Sequence, residues 1–263
     1  MLDKREQHTF AVCAYKESPF LEDCLRSILG QSVRSSVLLA TSTPSTFLEG
    51  VAFKFGIDLY VRDGVPGIAD DWNYAVSCAK TPYVTIAHQD DIYEPEYAKE
   101  AIHAFSATSN GLLYFSDYGE IRSGKRRSHT ALASVKRAML LPYRSKRLSC
   151  SPFWKRLPLS FGNPICCPAV TYNVGRLPSP LFVEGFRSNL DWDAWERFSR
   201  LDGAFLYRPR VRMYHRVHEG SETSACIVDD VRVKEDLAML ERFWPYSIAR
   251  TINGLYEKAQ RLN

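Results

Sequence analysis

The chain predicts an α/β fold, a mostly parallel, Rossmann-like central sheet flanked by helices, with an acceptor-side region toward the C-terminus. Three observations carry that expectation. Short apolar, β-branched runs alternate with amphipathic helical stripes through about the first 120 residues. One of those runs, Val84-Thr-Ile-Ala87, is apolar enough to be covered on both faces and ends in His88-Gln-Asp-Asp91. No internal repeat or low-complexity segment interrupts the pattern.

Taken in order, Thr9-Phe-Ala-Val-Cys-Ala-Tyr15 reads as a first buried strand. Ser18-Pro19 then supplies a helix cap with proline at the first helical position. Phe20, Leu21, Cys24, Leu25, Ile28 and Leu29 form one helical stripe that Gly30 stops. Ser36–Thr41 is a second strand, and Thr43-Pro44 opens a helix toward Phe55. Ile57–Val61 is a short third strand, and residues 68–79 are helical. The Val84 strand follows, then a helix opened by Pro95, then Leu112-Leu-Tyr-Phe115 ending at Ser116-Asp117. Beyond this the pattern loosens. Residues 122–160 hold three prolines and one amphipathic candidate, Ala131–Leu141. Asp191-Trp-Asp-Ala-Trp-Glu196 starts a helix with acids in its first turn, and Gly203–Met213 is a strand. From about Asp229 the pattern is helical. The expected organisation is an alternating α/β half (1–120), a looser second half of the same domain (121–228), and a helical extension (229–263).

Composition bounds the function classes. The chain has 263 residues and a net charge of +4. Seven cysteines without Cys-x-x-Cys spacing indicate buried thiols rather than a zinc site. No apolar run reaches the roughly 18 residues of a membrane span, and Met1–Gln7 has no signal-peptide core. A soluble, cytoplasmic protein is expected. Between Ile121 and Val183 there is no acid, yet there are twelve basic residues; without them 22 Lys and Arg face 30 Asp and Glu. That segment either suits an anionic partner, the inner face of a membrane or a lipid-diphosphate-linked acceptor, or is a solvated basic face. It carries no nucleic-acid-binding motif.

Asp90 and Asp91 close a strand, and ligands of open α/β sheets bind beyond the carboxyl ends of strands. Two such carboxylates suit a divalent cation that also holds phosphate oxygens, or else form a solvated turn. Taken together, four segments resemble the inverting family 2 glycosyltransferases of GT-A fold: Phe10–Gln31, Gly67–Ala75 with Thr81–Asp91, Glu184–Trp195, and Tyr214–Thr223.

That resemblance implies an enzyme moving a sugar from a nucleoside-diphosphate sugar, UDP first among them, to a saccharide hydroxyl in surface polysaccharide assembly. Ala14, Tyr15 and Glu17 would meet the nucleotide, with Asp71, Asn73 and Asp90 lining the sugar-nucleotide pocket. By the same resemblance Asp91 would hold Mn²⁺ or Mg²⁺, with His218 completing the metal shell. Either Arg216 or His218 would take the diphosphate, and Asp191 would be the catalytic base. Asn163 is an acceptor-side candidate. His88 departs from the family's usual first acid, and Ala40-Thr-Ser-Thr43 lacks the acids usual after the second strand. Two rivals stand beside this reading. A nucleotidyltransferase lacks support from any glycine-rich phosphate loop after the first strand. A non-catalytic saccharide-binding module would keep the fold without the base.

Overall fold

The computed structural model describes residues 7–218 and 231–261. Nine strands form one sheet in the order β3-β2-β1-β4-β8-β6-β9-β5, with β7 paired to β6. The strands are β1 (His8–Ala14), β2 (Ser36–Thr41), β3 (Asp58–Val61), β4 (Tyr83–His88), β5 (Ile92–Tyr93), β6 (Gly111–Arg122), β7 (Lys125–Arg127), β8 (Val170–Asn173) and β9 (Ala204–Val217). The pairs β1–β2, β1–β4, β2–β3 and β6–β9 are parallel. Strand β8 runs antiparallel to both β4 and β6, so those two share a direction across it. Six strands therefore point one way and deliver their carboxyl ends to one edge.

The strands are covered on both faces because their side chains alternate. Phe10, Val12 and Ala14 of β1 pack with α1 (Leu21–Leu29), α2 (Thr46–Phe55) and α4 (Tyr97–Ser106), while Ala11 packs against Ala75 of α3 (Ile68–Cys78). The larger core lies under β6, β8 and β9, where α8 (Leu190–Ser199) buries Trp192, Trp195 and Phe198 completely. The C-terminal helices α9 (Val231–Glu241) and α10 (Tyr246–Arg261) add Met239, Leu240 and Ala249 to that same core. Between β7 and β8 lie three short helices, α5 (Ala131–Met139), α6 (Lys146–Cys150) and α7 (Pro152–Leu159). From α7 the buried Lys155 ammonium donates to the carbonyls of Leu201 and Gly203 at 2.6 and 2.7 Å, tying α7 to the α8–β9 turn.

The structure adds to the sequence reading at two strands and shifts it at three boundaries. Strands β5 and β8 fall in stretches without alternation, and β6 continues seven residues past Phe115 because its long pairing with β9 holds it extended. Helix α2 is capped by Ser45 rather than begun at Thr43, whose hydroxyl instead accepts the Lys16 N–H at 2.6 Å. Helices α1 and α4 start two residues after their prolines, at Leu21 and Tyr97.

Candidate active site

Three loops meet beyond the carboxyl edge of β1, β2 and β4. After β1 the backbone turns sharply at Lys16, whose φ of 57° is unusual for a non-glycine residue. Ala14 is buried at the strand end, while Tyr15 and Glu17 are exposed on the turn. Gln89 Nε2 donates to the Tyr15 carbonyl at 3.0 Å, joining this turn to the end of β4.

Asp71 and Asn73 lie on α3 but spend their polar atoms inside the protein. Asp71 accepts from Ser42 Oγ at 2.9 Å on one oxygen and from Arg62 Nε at 2.7 Å on the other, so it locks the end of β2 to α3. Through Ser42 it also restores a carboxylate beside a strand end where the sequence has only hydroxyls. Asn73 donates to the Phe182 carbonyl at 2.8 Å and accepts the Phe182 N–H at 3.0 Å. Both ends of that amide are engaged by the backbone, so Asn73 clasps the loop leading to Glu184.

The two acids after β4 differ in burial. Asp91 is fully buried. Its Oδ1 accepts from His215 Nδ1 at 3.1 Å and from the Arg216 N–H at 2.9 Å, and its Oδ2 lies 4.0 Å from His88 Nδ1 inside the protein. Burial opposes charge on His215, but Asp91 with Asp90 and Glu120 outweighs it and holds the imidazole up at about 9. Asp91 is thus the buried half of an ion pair with β9, and its Oδ2 accepts no hydrogen bond. Asp90 is the accessible acid. Its Oδ2 lies 2.9 Å from His218 Nε2, and its carbonyl accepts from Arg216 Nε at 2.9 Å. The Arg216 guanidinium also stacks on the Phe20 ring at 4.3 Å.

A carboxylate and an imidazole meeting at 2.9 Å form an O,N donor pair that fits Mn²⁺ or Mg²⁺. Among the described residues no three His, Cys, Asp or Glu side chains converge as a metal cage. Two protein ligands with the remaining positions taken by phosphate oxygens and water is an ordinary arrangement for such a cation.

Across from this pair, Asp191 sits in the first turn of α8, partly buried. Its Oδ1 accepts the Trp192 N–H at 2.7 Å and its Oδ2 accepts from Asn163 Nδ2 at 2.9 Å. Burial raises its pKa above the ordinary aspartate value; the Trp192 and Asn163 donors, with the more distant Arg232 and Lys136, hold it back. A cleft of about 240 Å³ is lined by Gly67, Asp70, Glu184, Arg187 and, next to Asp191 in the chain, Leu190, among others. Trp72 stacks on His88 at 5.3 Å and meets Phe182 edge-on at 4.9 Å.

Two functional candidates escape sequence reasoning. Asp70, rather than its neighbour Asp71, faces the cleft, and only the rotational phase of α3 decides between them. Glu235 of α9 accepts the N–H groups of Arg187, Ser188 and Asn189 at 2.7, 2.7 and 3.0 Å, fixing the loop that presents Asp191. No sequence signal connects residues so far apart. Of the Tyr214–Thr223 segment, residues 219–223 lie outside the described residues.

A mostly parallel sheet flanked by helices, ordered as this one is, is the GT-A, Rossmann-like fold. The model of the family described as "Glycosyl transferase family 2" matches residues 9–163, more than half of the chain, and the chain belongs to that family. Solved structures of similar fold include three transferases. The first is Staphylococcus aureus TarS 1-349 with UDP-GlcNAc, with 13% identity, 94% of this chain and 70% of that one covered, and a TM-score of 0.62. The second is mannosyltransferase PcManGT from Pyrobaculum calidifontis with GDP-Man and Mn²⁺, with 14% identity, 91% and 65% covered, and a TM-score of 0.62. The third is glucosyl-3-phosphoglycerate synthase from Mycobacterium tuberculosis with Mn²⁺ and UDP-glucose, with 14% identity, 89% and 79% covered, and a TM-score of 0.56. At these identities the likeness is one of fold. No curated protein sequence matches the chain significantly.

Proposed function

We propose that the chain is a metal-dependent, inverting glycosyltransferase that moves a sugar from a nucleoside-diphosphate donor to a saccharide hydroxyl, in the assembly of a bacterial surface polysaccharide. The observation that carries the reading is Asp191: a carboxylate with a raised pKa, oriented by Asn163, beside a cleft shared with α3.

In this mechanism the turn at Tyr15–Glu17, with Thr43 and the Ser42–Asp71 pair, receives the nucleoside. The UDP sugars bound to TarS and to the glucosyl synthase support UDP as the base carrier. Arg216, held in place by Phe20 and the Asp90 carbonyl, offers its terminal N–H groups to the diphosphate. Asp90 and His218 would hold Mn²⁺ or Mg²⁺, which supplies counter-charge to the departing diphosphate. Asp70 and Glu184 accept hydrogen bonds from the donor sugar in the cleft. Asp191 takes the acceptor's hydroxyl proton as that oxygen attacks the anomeric carbon. The bond to the diphosphate breaks on the opposite face, the nucleoside diphosphate leaves with the electron pair, and the configuration inverts.

The test is a thermal-shift panel of nucleoside diphosphates and their sugars, with and without Mn²⁺, followed by NMR of the product's anomeric centre. A ligand at a hundred times its Kd stabilises the native state by about 2.7 kcal/mol. A Mn²⁺-dependent shift with one base that Asp90→Ala abolishes, and an inverted product, support the reading. Absence of a shift with any nucleotide overturns it.

A further inference from the structure

Large apolar side chains are exposed where α7 meets the start of α10. Phe153 is 65% exposed, Tyr246 56%, and Phe161 and Ile248 45% each, with Trp154 at 36% beside Phe153. The two segments are one surface. Trp244 Nε1 donates to the Ser160 carbonyl at 2.6 Å, the Phe161 and Trp244 rings lie 5.6 Å apart, and Arg156 reaches the Arg242 carbonyl at 2.9 Å. Helix α10 adds the exposed Arg250, and the 3₁₀ turn and α6 that lead into α7 add the exposed Arg144, Lys146 and Arg147, none with an ion-pair partner among the described residues; the exposed acids nearby are Glu241 at the end of α9 and Asp202 in the α8–β9 turn.

From this surface we infer that the α6–α7–α10 face docks on an anionic lipid bilayer. Exposed single rings of Trp, Tyr and Phe interleaved with cations match the interfacial layer of a membrane, where rings insert at headgroup depth and each Lys or Arg adds an electrostatic increment. Among the described residues no helix is long and apolar enough to cross a membrane, so this contact is peripheral. The placement has a consequence for the reaction. Phe161 on the docking face is two residues from Asn163, which holds Asp191. A protein seated this way keeps Asp191 near the lipid, and so near an acceptor carried on a lipid anchor. This last step rests on the proposed transferase reading; the docking itself does not.

Vesicle flotation tests it on the full chain, with phosphatidylcholine alone or with about one-third phosphatidylglycerol, at low and high salt. We expect recovery with the anionic vesicles only, weakened by salt. Both Phe153→Ser with Trp154→Ser and Lys146→Glu with Arg147→Glu should reduce vesicle affinity about tenfold or more, with the thermal transition and the donor-induced shift unchanged. All four side chains are exposed, so these variants keep the fold. Equal recovery with both vesicle types, or variants that float like the wild type, would overturn the inference. A preserved donor shift in the same samples keeps that failure separate from any failure of the transferase reading.

Discussion

The two acidic stations differ in burial, and that difference separates their expected phenotypes. Asp191 carries a raised pKa, so the ionised carboxylate is disfavoured in the fold relative to the unfolded chain. Between the unfolded value and the raised one, the native state holds the proton more tightly, and stability falls as pH rises through that window. Asp191→Asn removes this cost: it should lower transfer at least about 100-fold, keep donor binding, and leave the melting temperature unchanged or higher. Asn163→Ala removes a donor that stabilises the carboxylate, so the acid limb of the kcat/KM profile should move to higher pH. Asp90 and Asp91 should split in the opposite sense. Asp90→Ala should abolish the Mn²⁺-dependent nucleotide shift in a folded protein. Asp91→Ala leaves His215 buried without its counter-charge, and breaking such a pair costs about 3 kcal/mol or more, readable by denaturant titration. A fall in stability for Asp90→Ala as large as for Asp91→Ala would refute this division.

Helix α9 turns a single side chain into the scaffold of the catalytic loop. Three consecutive N–H groups at residues 187–189 have no strand or helix partner, and Glu235 accepts all three. Asn189 adds a bond from Nδ2 to Asp236 Oδ1 at 2.8 Å. Glu235→Ala should therefore lower kcat about tenfold or more by loosening the approach of Asp191, while the nucleotide-induced thermal shift, read at Asp90 and Arg216, persists. This loop also marks the limit of what could be read in the chain. Strands with strong apolar alternation or continuity, β1, β2 and β4, and the acid-led start of α8 were legible, and with them the positions of Asp90 and Asp191. Strand β8 was not: four residues between a 3₁₀ turn and Gly175 carry no period, and only the gap between β4 and β6 makes them a strand. Which of Asp90 and Asp91 is the more accessible was not legible either, because adjacent residues on a turn differ in burial by which way the chain bends, and that bend is set by β9, over a hundred residues away. The clasp of Asn73 on the Phe182 backbone was hidden for the same reason.

At the scale of the molecule, a buried chain of polar groups stitches the middle of the sheet. His8 Nε2 lies 2.8 Å from Thr85 Oγ1, Thr85 lies 2.7 Å from Thr171 Oγ1, and Thr171 lies 3.1 Å from the Tyr97 hydroxyl, while His8 Nδ1 reaches Ser35 at 3.0 Å. The chain crosses β1, β4 and β8 and ends on α4, so it couples the parallel half of the sheet to the antiparallel strand that joins it to β6 and β9. Burial pushes His8 down to about 3, and both ring nitrogens already have partners. A neutral histidine in the native state and an ordinary one in the unfolded state give a definite sign: the unfolded chain binds the proton first as pH falls. The contribution is whole above about pH 6.5 and is lost progressively below it, reaching about 2 kcal/mol by pH 5. Denaturant unfolding at pH 7.5 and pH 5 should show that loss in the wild type. In His8→Gln the pH-dependent loss should be smaller by about the same 2 kcal/mol, even though the variant starts less stable for want of the full hydrogen-bond pair. An equal loss in both proteins would mean that His8 is protonated without cost, and that the acid sensitivity of the fold lies in its carboxylates instead.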